Sequence, residues 1–222
     1  MNAYNFNFCN TSCRALPSGA LHLPKQQTLC VSDLHLGKSD RIARRSGVML
    51  PPYEVQETLE KLENDIKATT PQTIICLGDS FDDLDAAKSL TDDMRLWLTK
   101  LQAGRQWVWI EGNHDPGPID LGGTHLKQTV VGALTFRHIA TAAKAEVSGH
   151  YHPKHQLAQN SRPAFIYDQS RMILPAYGAY TGGLSSQTPE LRRLFDAQPI
   201  AILTGAKSIA TPVTDTIKSR RR

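Results

Sequence analysis

The chain has 222 residues, 40% hydrophobic and 21% charged, with a net charge of +4. That make-up suits a single soluble globular domain with a substantial core. No apolar run reaches membrane-spanning length, and the N-terminus lacks a basic start followed by an apolar stretch, so no membrane partner is expected and a cytoplasmic location is.

Residues 3–27 read as an N-terminal hairpin-like extension turning at Pro17-Ser18-Gly19. A first core strand spans 28–32 and ends at Asp33. Residues 37–51 form a basic, irregular or helical segment closed by Pro51-Pro52. Val55, Leu59, Leu62 and Ile66 then recur at helical spacing, which predicts an amphipathic helix over 53–69. A second buried strand, 73–77, runs into Gly78-Asp79. Leu90, Met94, Leu98 and Leu101 share one face of a second helix, which Gly104 caps. The strand 106–110 delivers Gly112-Asn113-His114-Asp115. This strand–helix alternation predicts a mainly parallel sheet. Helical periodicity then disappears. Strands are expected over 128–136, 145–148, 164–167, 172–174 and 200–204, with a hairpin connection at 168–171 and a largely antiparallel second sheet. Residues 212–222 read as a frayed basic tail.

The four cysteines form no metal signature, and Cys30 and Cys76 lie in strand-like runs as buried thiols. The informative clusters are Asp33-Leu34-His35, Gly78-Asp79, Gly112-Asn113-His114-Asp115, Arg137-His138 and Gly149-His150-Tyr151-His152. Each sits at or just beyond the end of an apolar run, where loops leaving strands converge on one crevice. Carboxylate oxygen, amide oxygen and neutral imidazole are the donors that hard divalent cations use. Asp33 and His35 alternate about one residue, as do His150 and His152, so each pair points one way. Asp79 follows a glycine and has two oxygens with which to bridge two ions. Asn113 adds a neutral oxygen. His138 is a lone histidine after a strand, a placement that is as often structural. His22, His125 and His155 fit no cluster. There is no Gly-x-Ser-x-Gly elbow and no phosphate-cradling Gly-x-x-x-x-Gly-Lys-Ser/Thr loop.

In order and residue type, these clusters resemble the calcineurin-like metallophosphoesterases. The resemblance implies a four-layer α-β-β-α sandwich with two mixed sheets and a dinuclear-metal site. It implies that Asp33, His35, Asp79 and His152 hold one ion, and Asp79, Asn113, His138 and His150 the other. His114 would contact the scissile phosphate and protonate the leaving oxygen, oriented by Asp115 or another nearby acid. Ser32 through Lys38, Arg44-Arg45-Ser46-Gly47 and the segment Leu174 through Leu184 resemble the bacterial PdeM subfamily, phosphoesterases associated with a DNA ligase and a helicase in the DNA-damage response. That closer resemblance implies a manganese-dependent phosphodiesterase or DNA endonuclease acting in repair.

One departure stands out. Many relatives carry a histidine a few residues after the second cluster, where this chain has Ser80-Phe81-Asp82-Asp83. A carboxylate there can accept from a ligand histidine. Lys38, Arg41, Arg44 and Arg45 follow the first cluster and are candidate contacts for flanking phosphates, or else a solvated helix face. Tyr177 and Tyr180 lie in a glycine-rich stretch that is either a tight strand exit or a stacking rim. A small-molecule phosphodiesterase acting on cyclic nucleotides and a metal-stabilised scaffold are the rival functions. The oligomeric state, a homodimer included, is left open.

Overall fold

In the computed structural model, residues 2–47, 53–118 and 120–214 are described; the side chains of Asp40, Arg44, Arg45 and Leu84 lie outside that description, as do Pro51-Pro52 and the basic tail beyond Thr214. The first sheet has seven strands in sequence order: β1 (Tyr4–Phe8), β2 (Thr11–Ala15), β3 (Leu21–Leu23), β4 (Thr28–Val31), β5 (Thr73–Leu77), β6 (Gln106–Ile110) and β7 (Thr124–Leu126). β1 to β4 pair antiparallel, while β4 to β7 pair parallel. The N-terminal segment is therefore half of a mixed sheet, with a second turn at Cys9-Asn10 that the sequence reading lacked. Both turn residues have positive φ.

Helices α1 (Lys38–Ser46), α2 (Glu54–Thr69), α3 (Leu84–Ser89) and α4 (Asp92–Gln102) occupy the crossovers. The predicted second helix thus divides at Leu90, and the side chains of Asp83 and Thr91 each cap one piece by accepting an amide N–H.

The second sheet has eight strands. They are β8 (Gln128–Val131), β9 (Leu134–Arg137), β10 (Glu146–Ser148), β11 (Lys154–Leu157), β12 (Asn160–Tyr167), β13 (Arg171–Ile173), β14 (Ile200–Leu203) and β15 (Ile209–Pro212). β10 runs parallel to both β9 and β13 and the other pairs are antiparallel, so this sheet too is mixed. The expected 128–136 strand is a hairpin. It turns at Gly132, whose φ is +61°, with Val131 opposite Leu134.

Period-two alternation builds the layers. Leu29, Val31, Ile74, Cys76, Trp107 and Trp109 face Leu59, Leu62, Ile66, Leu98 and Leu101 of α2 and α4. Their neighbours Cys30, Ile75, Leu77 and Ile110 face the second sheet, where Phe136, Val147, Phe165 and Met172 meet them. The outer face of the second sheet packs on Leu191 of α5 (Pro189–Arg192) together with Leu194 and Phe195. The four layers are present, the last of them thin. Because β4, β5 and β6 are parallel, their C-terminal ends share one edge, and β9 and β10 end parallel to each other in the facing sheet.

Tyr177 is a core residue, fully buried in the layer between α2 and the first sheet. Its hydroxyl donates to Asp65 at 2.8 Å. The Lys61 ammonium lies 3.9 Å from its ring centroid and donates to its carbonyl oxygen. Of the two sequence readings of this stretch, the stacking rim fails for Tyr177, whose ring is buried in the core. Burial pushes the Lys61 pKa down to about 8 against the attraction of Asp65 and Glu57, whereas the unfolded chain keeps this proton to about pH 10.4. Between those values the unfolded state binds more protons, so this group adds stability as pH rises. Urea unfolding of the parent and of Lys61→Met at about pH 7 and about pH 9.5 should therefore show the parent gaining on the variant at the higher pH. An unchanged difference would show that Lys61 is solvated.

Candidate metal centre

The exits of β4 and β5 stay zipped beyond the strands themselves. The Asp33 N–H donates to the Gly78 carbonyl at 3.2 Å, His35 to Asp79 at 2.9 Å and Leu36 to Ser80 at 3.0 Å. These bonds fix the first two clusters to each other. Asp33, His35, Asp79, His150 and His152 all have φ between 45° and 69°. Left-handed backbone at non-glycine residues costs energy and is held only where surrounding structure over-determines it.

The side chains gather in two triads. In the first, His152 Nε2 lies 3.2 Å from Asp33 Oδ1 and 3.3 Å from His35 Nε2. In the second, His138 Nε2 lies 3.3 Å from Asp79 Oδ2, 3.3 Å from His150 Nδ1 and 3.0 Å from Asn113 Oδ1. His138, the least anchored residue in the sequence, is thus buried at the middle of a group. The triads adjoin, since His138 Nδ1 is 3.8 Å from Asp33 Oδ1.

The tautomers follow from what faces the outer ring nitrogens. His35 Nδ1 lies 2.8 Å from the Asp82 carboxylate, and His138 Nδ1 lies 3.2 Å from the Leu77 carbonyl. Both partners can only accept, so Nδ1 carries the proton in each and Nε2 presents a lone pair inward. Lone pairs of histidine, carboxylate and, in the second triad, amide oxygen therefore converge with too few donors to satisfy them. Such a set fits a cation.

The electrostatics agree. Burial disfavours the Asp79 charge, but the His138 hydrogen bond and the nearby His138 and His114 charges outweigh it and hold the carboxyl at about 2. Burial also opposes a charge on His138, yet the Asp79 bond and the Asp33 and Asp79 carboxylates raise its proton affinity. Burial and the neighbouring His138 lower that of His150. The field that favours a proton on His138 is an anionic field, equally attractive to a metal ion.

Asp82, three residues beyond the expected glycine–aspartate pair, is the support. It is fully buried; one carboxylate oxygen takes the His35 N–H and the other is paired with Arg41. Its carbonyl accepts from His114 Nδ1 at 2.9 Å. His35, Asp82 and His114 also meet the geometric requirement for a metal group. The Arg41 cation on Asp82 argues against an ion there, and we read the group as an orienting network.

Two further sequence expectations change. Among the described residues the Asp115 carboxylate makes no hydrogen bond to the His114 ring. Its oxygens accept the backbone N–H groups of Ser80, Phe81 and Gly112 at 2.8–3.2 Å, tying the second cluster to the third. Burial pushes its pKa up to about 6 despite those donors. The basic segment after His35 forms α1, with Lys38 half-buried at its start and the Arg41 guanidinium committed to Asp82. The side chains of Arg44 and Arg45 lie outside the described residues. Tyr180 is exposed in a segment clamped at two glycines. A Cβ on Gly178 would overlap the Leu34 carbonyl, and one on Gly183 the His152 carbonyl. The glycines are needed for close approach to both clusters. Of the histidines outside the clusters, His155 bonds Ser186 at 2.6 Å and His22 is buried.

A model of the calcineurin-like phosphoesterase family matches residues 27–199. The chain is a calcineurin-like metallophosphoesterase. As a member of that family it is a metal-dependent phosphoesterase, with the dinuclear site typical of the family. Among solved structures it is similar to the Pseudomonas putida nuclease MPE, with a TM-score of 0.76 and 22% sequence identity over 96% of this chain and 100% of that one. That likeness shows a shared fold. No match was found among curated proteins. In this phosphoesterase no described helix is long and apolar enough to cross a membrane.

Removing the Asp82 support isolates its role. Asp82→Ala should lower manganese affinity at the Asp33–His35–His152 triad by about 10–100-fold, the usual cost of losing an orienting acceptor, and spare the other triad. Isothermal titration that still finds two sites of parental affinity would contradict this.

Proposed function

We propose that this phosphoesterase is a phosphodiesterase using two divalent ions, manganese by subfamily resemblance, and that its substrate is DNA, cut as an endonuclease during repair. The observation that carries the hydrolytic reading is the pair of adjoining lone-pair clusters with His114 at their rim. The DNA reading is supported by likeness of fold to a nuclease and by the PdeM resemblance, which would also set the enzyme beside a DNA ligase and a helicase.

On this reading Asp33, His35 and His152 hold one cation and Asn113, His138 and His150 the other, with Asp79 shared between them. When bound, such ions activate water and neutralise phosphate oxygens. The chain's own residues do the rest. Asp82 and the Leu77 carbonyl keep His35 and His138 in the tautomer that presents Nε2. The backbone N–H of His114 donates to Asp79 Oδ1 at 2.9 Å, leaving Oδ2 directed at His138. The His114 ring bonds the Asp82 carbonyl through Nδ1, so Nε2 is the free nitrogen. It stands 4.0 Å from Asp79 Oδ2 on a partly exposed side chain. Protonated there, it can donate to the departing oxygen of the substrate.

His114→Ala should then slow diesters with poor leaving groups by about 10²–10⁴-fold and slow nitrophenyl esters far less, because nitrophenolate departs without a proton. Equal losses would reduce His114 to a positioning role.

A small-molecule reading is favoured by one observation. Arg41 is consumed by Asp82 and is not free to hold a polymer's phosphate. A panel of single-stranded DNA, duplex DNA, RNA, cyclic nucleotides and a monoester, each with manganese, magnesium and zinc, separates the readings. Cyclic-nucleotide turnover without cleavage of any polymer would overturn the nuclease proposal.

A further inference from the structure

A groove of about 340 Å³ opens directly from the second triad, lined by Asn113 and His138 together with Glu111, Lys127, Arg137 and Ile139. Its place follows from register. Ile110 of β6 pairs with Leu126 of β7, and Gln128 of β8 pairs with Arg137 of β9. Lys127 therefore sits where the chain steps from the first sheet to the second. Asn113 lies three residues beyond one pair and His138 one residue beyond the other.

The two cations in this groove differ. Arg137 is committed: Nε lies 3.1 Å from buried Glu146, and Nη2 donates to Gln128 at 2.6 Å. It forms a fixed wall. Lys127 is exposed, and among the described residues its ammonium has no ion-pair or hydrogen-bond partner. Glu111 brings a carboxylate to the lining and Ile139 a half-exposed apolar surface. A bare polyanion would be repelled by Glu111. A nucleotide offers a phosphate for Lys127, hydrogen-bond donors for Glu111 and an apolar base edge or sugar for Ile139.

We propose that this groove receives the nucleotide adjoining the scissile phosphodiester, with Lys127 holding the flanking phosphate. The proposal rests on the nuclease reading above. It assigns the polymer's path to the β7–β8 junction, on the Asn113–His138 side of the centre, and not to α1.

The test uses the full-length, manganese-loaded protein with a single-stranded oligonucleotide and with bis-nitrophenyl phosphate, which has no flanking nucleotide. For Lys127→Gln, the ratio of kcat/KM for DNA to that for the small diester should fall roughly ten-fold, the order of one charge-assisted hydrogen bond. It should fall further for Lys127→Glu. The log–log salt slope of oligonucleotide binding should drop by about 0.7, the value for one phosphate contact on a single strand. Lys100→Gln, an exposed lysine on α4, serves as the control and should keep the parental ratio and slope. An unchanged ratio and slope in both Lys127 variants would overturn the groove assignment while leaving nuclease activity standing. An equal fall on both substrates would also overturn it, since Lys127 would then act on the metal centre. If the parent hydrolyses the small diester but neither binds nor cuts DNA, the nuclease reading falls and the groove proposal with it.

Discussion

Four carboxylates, those of Asp33, Asp79, Asp82 and Asp115, are buried at one edge of the sandwich, and the surrounding structure is organised by how each is compensated. An uncompensated buried charge costs several kcal/mol. Asp115 is met by three backbone amides. Asp82 is met by Arg41 and the His35 ring. Asp33 accepts from Ser32 and from the His150 amide. Asp79 accepts from the His114 amide and keeps its other oxygen against His138. The first two are closed electrostatic accounts that lock loops together. The last two retain oxygens directed at histidine lone pairs, and this inequality separates support from site.

The division explains what sequence could show. The strands at 73–77 and 106–110 were legible because buried parallel strands read as apolar runs, and the clusters following them were legible by position. β7, β11 and β15 were missed. Their residues are exposed or half-buried apart from the buried His155 of β11, so they have no apolar signature and owe their pairing to neighbours. The 128–136 run misled because Gly132-Ala133 interrupts it without any polar marker.

The site's errors have a common origin. Asp115 or another nearby acid was expected to orient His114; the turn sends the Asp115 side chain into the loop amides and the His114 ring to the main-chain carbonyl of another acid, Asp82. Tyr177, in its glycine-rich stretch, was a candidate for a stacking rim, with a tight strand exit as the alternative. In fact those glycines let its backbone pass under Asp33, with the Tyr177 amide donating to the Ser32 carbonyl at 2.7 Å, while the ring turns inward to Asp65. The acid at Asp82 was legible as an acceptor for a ligand histidine. Its second and third tasks, pairing Arg41 and holding His114 through the main chain, depend on α1 folding back across the loop and have no local signature.

Each triad takes members from both sheets. Asp33 and His35 leave β4, whereas His152 follows β10, and the contact between the two imidazoles spans 117 positions of chain. Asp79 leaves β5, whereas His138 and His150 belong to the facing sheet. A cation seated in either triad therefore staples the two halves of the sandwich, and in the first triad it closes a loop longer than half the protein. Because each triad draws its members from both sheets, neither is complete until the sheets dock. Ion affinity in this molecule is a gauge of sandwich closure, and a weakening of the intersheet packing far from the crevice would be felt first as a loss of occupancy.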